Sequence, residues 1–199
     1  MVSPILEATI QSCILASTSC LIGQAITSYK TDTLAFSFGQ MLQFAMFSFL
    51  NCPPNFVWQT YLENTFPSTT TVPSKRALSA ASAGNEKELD REEKEHVIVD
   101  AKLHIPNTIA KFVLDQTVGA AANTLMFSFL FAGYGGMEYG QAIQVCKQDF
   151  WPLIYAGWKL WPAVSLVNFS MVKSVQTRNL VGALAGMVWN VYLSLMAAR

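Results

Sequence analysis

Residues 158–194 read WKLWPAVSLVNFSMVKSVQTRNLVGALAGMVWNVYLS, two apolar blocks around a polar hinge at residues 173–178. The second block, residues 179–198, has 20 residues and no charge. At ~1.5 Å of rise per residue, a helix of that length covers about 30 Å, the hydrocarbon thickness of a bilayer. Gly182 and Gly186 inside it match the GxxxG pattern, which lets helices pack closely in lipid and offers a face for a second copy of the chain. The first block, residues 150–172, is interrupted by Lys159 and Pro162 and crowded at its start with Trp151, Trp158 and Trp161. That composition suits a membrane interface and predicts a kinked, partly interfacial lead into a shorter span.

The composition of the whole chain agrees. Of its 199 residues 52% are hydrophobic and 13% charged, against about 25% charged in soluble domains. Formal net charge is zero, so no basic surface for nucleic acid is implied. Half of the charge lies in one island: residues 75–102 hold six basic and seven acidic side chains. The cysteines at 13, 20, 52 and 146 lack metal or redox spacing and read as small hydrophobes. With only His96 and His104, both in or beside the charged island, no zinc site is expected, and no cofactor. No nucleophile-elbow, zinc-protease or phosphate-loop pattern occurs, and no histidine lies in an apolar block to activate a nucleophile, so the chain does not read as an enzyme. The segment before Lys30 has no basic residue, which predicts internal targeting signals.

Three further uncharged runs precede the opening stretch, at residues 8–29, 33–62 and 116–137. The run 33–62 contains Pro53-Pro54, which predicts a span to about Asn51 and a kinked continuation through Trp58 and Tyr61. Residues 67–83, rich in Ser, Thr, Pro and Ala, predict an irregular loop to about Asn85, and residues 86–102 a short solvated helix with paired charges. Pro106, Asn107 and Thr108 offer a helix start. Residues 133–140 are a flexible break, and residues 141–149 a short surface helix. Unpaired backbone finds no partner in hydrocarbon, and no period-2 alternation supports a barrel. The expected architecture is therefore an all-α bundle of four to five membrane-embedded helices. It forms one domain overall: residues 1–67 hold the first two helices, 68–105 a polar loop, and 106–199 the C-terminal helices.

The motifs along these helices resemble those of the Mpv-seventeen / peroxisomal membrane protein (PMP-twenty-two) family. Pro53, Phe56, Trp58-Gln59, Leu62 and Phe66-Pro67 follow its second-helix motif, with Phe56 where histidine is frequent and Gln59 where tyrosine stands. Lys111, Asp115 and Gln116 give its Lys-x-x-x-Asp-Gln motif intact, with Ala121 at a proline position. Trp161-Pro162, Asn168-Phe169, Arg178, Trp189 and Tyr192-Leu193-Ser194 follow its last motif, with Ser165 for a glutamine and Lys173 for a proline. Gly23 is kept in the first helix, beside Gln24 where aspartate is usual. The resemblance implies a multi-spanning protein of the peroxisomal or mitochondrial inner membrane, linked to small-solute passage and metabolite balance, with no catalytic chemistry.

Ionisable groups within apolar segments are costly and point to function or to a structural clamp. Lys111 and Asp115 are four residues apart and share a helix face; Asp115 has Lys159 and Arg178 as alternative partners on other helices. Asp115, Gln116, Asn123 and Asn168 form the expected polar path, and Trp161, Pro162, Gly182, Gly186 and Trp189 the expected packing surface. Two functions remain open at this point. One is a small-solute channel or permeability regulator. The other is a scaffold that holds partners through the charged loop and the small-residue helix faces.

Overall fold

The computed structural model describes residues 3–32, 36–88, 91 and 99–197. Eight α-helices and one two-stranded ribbon are present among them: α1 Pro4–Thr31, α2 Phe38–Thr65, β1 Thr69–Pro73, α3 Lys75–Ser82, β2 Val99–Leu103, α4 Ile105–Leu114, α5 Ala120–Tyr134, α6 Tyr139–Gly157, α7 Trp161–Met171 and α8 Val175–Ala197. A π turn, Asp115–Gly119, joins α4 to α5 without a break, so residues 105–134 form one continuous helical rod.

Local chemistry sets the boundaries. Pro4 opens α1, Glu7 sits in its first turn and Lys30 in its last, each matching the sign that the helix dipole favours. Asp32 ends it with φ 52°, a left-handed turn that aspartate tolerates better than most residues. Ser37 caps α2 by accepting from Gln40 N at 3.2 Å. Gln24 ties the two helices together: its Nε2 donates to Ser37 O at 3.0 Å and its Oε1 accepts from Ser37 N at 2.9 Å. Helix α1 then packs along both α2 and α8. Helix α2 meets α5 through aromatic edges, Phe44 on Phe131 at 5.2 Å and Phe47 on Phe127 at 5.3 Å.

Several expectations need correction. Helix α2 runs through Pro53-Pro54 to Thr65, so the expected span and its continuation through Trp58 and Tyr61 form one helix. Residues 69–73 are not irregular: they pair antiparallel with 99–103, Thr69 opposite Leu103 and Pro73 opposite Val99. Ser74 then caps α3 by accepting from Ala77 N at 2.9 Å. The solvated helix expected over 86–102 gives way to strand at its C-terminal end, and residues 89–90 and 92–98 of it, His96 included, lie outside the described residues. The cap of α4 is His104, whose Nδ1 accepts from Asn107 N at 3.2 Å. Helix α6 runs through the expected boundary at residue 150, and the break falls at residues 158–160 instead. Pro162 stands in the first turn of α7, where its missing N–H costs nothing, so it starts a helix instead of kinking one.

By length and hydropathy, α1 is the single candidate membrane span among the described residues. The α-helical elements α4, α5 and α7 are each shorter than a span, at 10, 15 and 11 residues. The distribution of polarity is nonetheless inverted with respect to a soluble protein. Lys111, Arg178, Gln116 and Ser165 are buried, while Ile14, Phe49, Val57, Val118 and Val188 each expose more than half of their surface.

Candidate functional site

Two polar centres sit side by side in the bundle, and both hang on the facing surfaces of α2 and the 105–134 rod. Gln59 and Glu63 are one turn apart on α2; Lys111 and Asp115 are one turn apart on the rod. The helices run antiparallel at this contact, so Glu63 meets Lys111 and Gln59 meets Asp115.

The first centre is ionic. Lys111 Nζ lies 2.7 Å from Glu63 Oε2, and Arg178 NH1 bonds the same oxygen. Ser68 Oγ donates to Glu63 Oε2 at 3.0 Å and receives Lys111 Nζ and, at 3.0 Å, Arg178 NH2. Arg178 Nε reaches Val172 O at 2.9 Å, which uses a carbonyl left free at the end of α7. Phe169 lies under both cations, its ring centre 5.1 Å from Lys111 Nζ and 5.5 Å from the Arg178 guanidinium carbon. Lys111 is 0% and Arg178 1% exposed, and each is tolerable because Glu63 balances charge and each of their nitrogens has an oxygen partner.

The second centre is built on Asp115, the first residue of the π turn. Its Oδ1 accepts from Gln59 Nε2 at 3.0 Å, and its Oδ2 from Ser165 Oγ at 2.8 Å and Gln116 Nε2 at 3.2 Å. All three partners are neutral. The three contacts use the carboxyl group as an acceptor on both of its oxygens. The π turn widens the backbone ladder, and the Gln116 carbonyl accepts the Trp158 indole N–H at 3.2 Å. Gly119 makes room on the opposite side: a Cβ there would stand 2.9 Å from Trp58 Nε1 and 3.4 Å from Asp115 Oδ1.

Beside Asp115 lies a cavity of about 490 Å³, with walls from α1, α2, the rod, α6, α7 and α8. It gathers residues that are far apart in sequence. Of the expected polar path, Asp115, Gln116, Asn123 and Asn168 all line it, as do Arg178 and the packing residues Trp161, Gly182, Gly186 and Trp189. Lys159 does not belong to either centre: it is exposed in the 158–160 turn, six residues before Ser165. The expected pairing of Asp115 with Lys111, Lys159 or Arg178 is likewise replaced, because Glu63 takes both buried cations. A Cβ on Gly182 would meet nothing within 4 Å, and one on Gly186 only the Trp161 ring at 3.9 Å. The GxxxG face therefore borders the cavity and does not press against a neighbouring backbone within the chain.

Sequence reasoning passed over four participants. Glu63 and Ser68 hold the ionic centre; Gln59 and Ser165, departures from the family pattern, hold the carboxylate. The available signal was charge balance: two cations in apolar segments need an anion, and Glu63 is the first carboxylate after the 33–62 run. Replacing Trp158 by phenylalanine tests the π turn, since it strands the Gln116 carbonyl. A loss of about 1–3 kcal/mol of stability is expected, read as a lower melting temperature in detergent, with phenylalanine keeping the ring's packing.

The C-terminal part of the cavity wall lies where the chain matches a known family. Residues 135–194 match the model of the Mpv17 / PMP22 family. The chain is 34% identical over 89 residues to "PXMP2/4 family protein 3" of Dictyostelium discoideum, covering 45% of this chain and 47% of that protein. It is 31% identical over 98 residues to "Protein SYM1" of Kluyveromyces lactis, covering 49% of this chain and 50% of the relative. In both cases the match spans about half of the relative's length. "Protein sym1" of Schizosaccharomyces pombe aligns with 98% of this chain and 86% of its own length at 23% identity. No solved structure matches. The Trp161-Pro162, Asn168-Phe169, Arg178 and Trp189 motifs fall inside the matched 135–194 segment, which is similar to the Mpv17 / PMP22 family.

Proposed function

We propose that this chain is a multi-spanning protein of the peroxisomal or mitochondrial inner membrane whose central cavity passes small solutes. The observation that carries this reading is the inverted polarity: large apolar side chains face outward on α1, α2, the rod and α8, while a 490 Å³ cavity inside collects Asp115, amides and tryptophans from six helical segments. In this reading α1, α2, the rod and α8 cross the bilayer, with α6 and α7 supplying a further, broken crossing. Lipid is then the outer partner and a small polar solute the inner one. The scaffold alternative loses one of its two supports, because the small-residue face of Gly182 and Gly186 lines the cavity.

Purified protein reconstituted into liposomes is expected to release entrapped solutes of the size of glycerol or a monosaccharide and to retain dextrans. Release no faster than from protein-free liposomes, for every small solute tried, would overturn the reading and return the charged loop and its partners as the leading function.

A further inference from the structure

We propose that the Asp115 end of the cavity is a binding site for a primary ammonium group, a claim that rests on the cavity reading and names its solute class. The argument starts from the side-chain amides. Gln59 and Gln116 each give their Nε2 to the Asp115 carboxylate, at 3.0 and 3.2 Å. Asn168, one turn beyond Ser165 on α7, gives its Nδ2 to Arg178 O at 3.3 Å. Each NH₂ is committed to an oxygen acceptor, so none of these amides can be turned over without setting oxygen against oxygen. The orientation leaves Gln59 Oε1, Gln116 Oε1 and Asn168 Oδ1 buried with no protein partner. A buried acceptor without a donor costs about 1–3 kcal/mol, and here three such acceptors border one cavity.

Acceptors outnumber donors in this surplus: against the three amide oxygens stands one unpartnered donor on the same lining, Trp58 Nε1. Arg178, the cation on the same wall, has its Nε, NH1 and NH2 taken by Val172 O, Glu63 and Ser68. The direct partners of Asp115, in contrast, are all neutral, and neither Lys111 nor Arg178 bonds it. The Asp115 end thus offers spare acceptors around a carboxyl group without a bonded cation, bordered by Trp58, Trp158 and Trp161. A primary ammonium group supplies the complement: three N–H donors, one positive charge, and an affinity for indole faces. A quaternary ammonium has the charge and no donor; an alcohol has a donor and no charge; a carboxylate has the wrong sign.

The test is binding to the detergent-solubilised full chain, read by tryptophan fluorescence at constant ionic strength. Propylammonium chloride is expected to change the emission saturably, with tetramethylammonium, 1-propanol and propionate at least tenfold weaker. In Asp115→Asn the propylammonium affinity is expected to fall at least tenfold. An equal response to tetramethylammonium, or no saturable response to propylammonium, overturns the proposal, and neither comparison needs a variant that folds. Liposomes separate this failure from that of the passage reading: glycerol release without propylammonium binding removes the ammonium site alone, whereas binding without release of any solute removes passage and leaves the site.

Discussion

Glu63→Gln is expected to destabilise the bundle by about 3–5 kcal/mol, the usual cost of leaving a buried charge without its partner. The substitution keeps the volume and one acceptor oxygen but deletes the only carboxylate among the described residues that pairs with Lys111 and Arg178. Both cations stay enclosed, at 0% and 1% exposure, with Ser68 Oγ and the Phe169 ring as their remaining side-chain partners. The ring offsets roughly 2 kcal/mol at best. For a chain of this size a loss of 3–5 kcal/mol corresponds to a melting temperature lower by about 6–20 °C, measurable by thermal unfolding in detergent. Lys111→Met makes the contrasting measurement. It removes one cation from a centre that holds two cations and one anion, so Glu63 and Arg178 remain matched and the methionine chain still covers Phe169. It should cost less than half as much. Equal losses for the two variants would show that the centre is held by packing rather than by charge balance.

The same cluster shows what a sequence can and cannot disclose here. Helical class was legible because uncharged runs of 22, 30 and 22 residues leave no other way to satisfy the backbone. That Lys111 and Asp115 share a face was legible from a spacing of four, and both do face α2. Their partners were not, because partner choice depends on the antiparallel register of two helices some 50 residues apart in sequence, and spacing within one helix carries no information about that register. Glu63 looked like the end of an apolar run, though a buried cation pair demanded an acid near it. Gln59 and Ser165 were visible only as departures from the family motif. In the structure they converge on one carboxylate, so a tyrosine-to-glutamine and a glutamine-to-serine difference read as a matched set around Asp115.

Misread boundaries have a similar origin. Pro53-Pro54 and Pro152 lie inside helices that continue past them, whereas Pro162 begins one. The π turn at 115–119 has no composition signal of its own, yet it fixes how the rod presents Asp115 and Gln116 together. The strand pairing of 69–73 with 99–103 is closed by His104 N on Ser68 O at 2.8 Å and Asn107 Nδ2 on Pro67 O at 3.0 Å. A Ser/Thr/Pro-rich run has no apolar alternation to announce such a ribbon. What orders it is the ionic centre, since Ser68 is both the residue before β1 and a ligand of the two cations. Glu63→Gln is thus also expected to loosen the ribbon.

Gly119→Val should reduce solute release from liposomes at least tenfold while costing about 1–3 kcal/mol of stability, the typical cost of overpacking. Gly119 lies in the π turn, at ordinary helical dihedrals, so valine meets no backbone strain there; the obstacle is space. A Cβ alone would sit 2.9 Å from Trp58 Nε1 and 3.4 Å from Asp115 Oδ1. The two additional methyl groups must therefore displace the Trp58 indole from the carboxylate. Trp58 lines the cavity opposite Trp158 and Trp161, and pushing its ring aside moves bulk into the polar lumen. Two readouts separate obstruction from unfolding. The melting temperature should stay within about 10 °C of the parent chain, and the Trp58 emission should shift as its indole leaves Asp115. Gly133→Val serves as the control, because a Cβ at Gly133 meets nothing within 4 Å and that residue does not border the cavity. If Gly119→Val folds, moves Trp58 and still releases solute at the parent rate, the cavity beside Asp115 is not the path, and the polar centre is a structural clamp within the bundle.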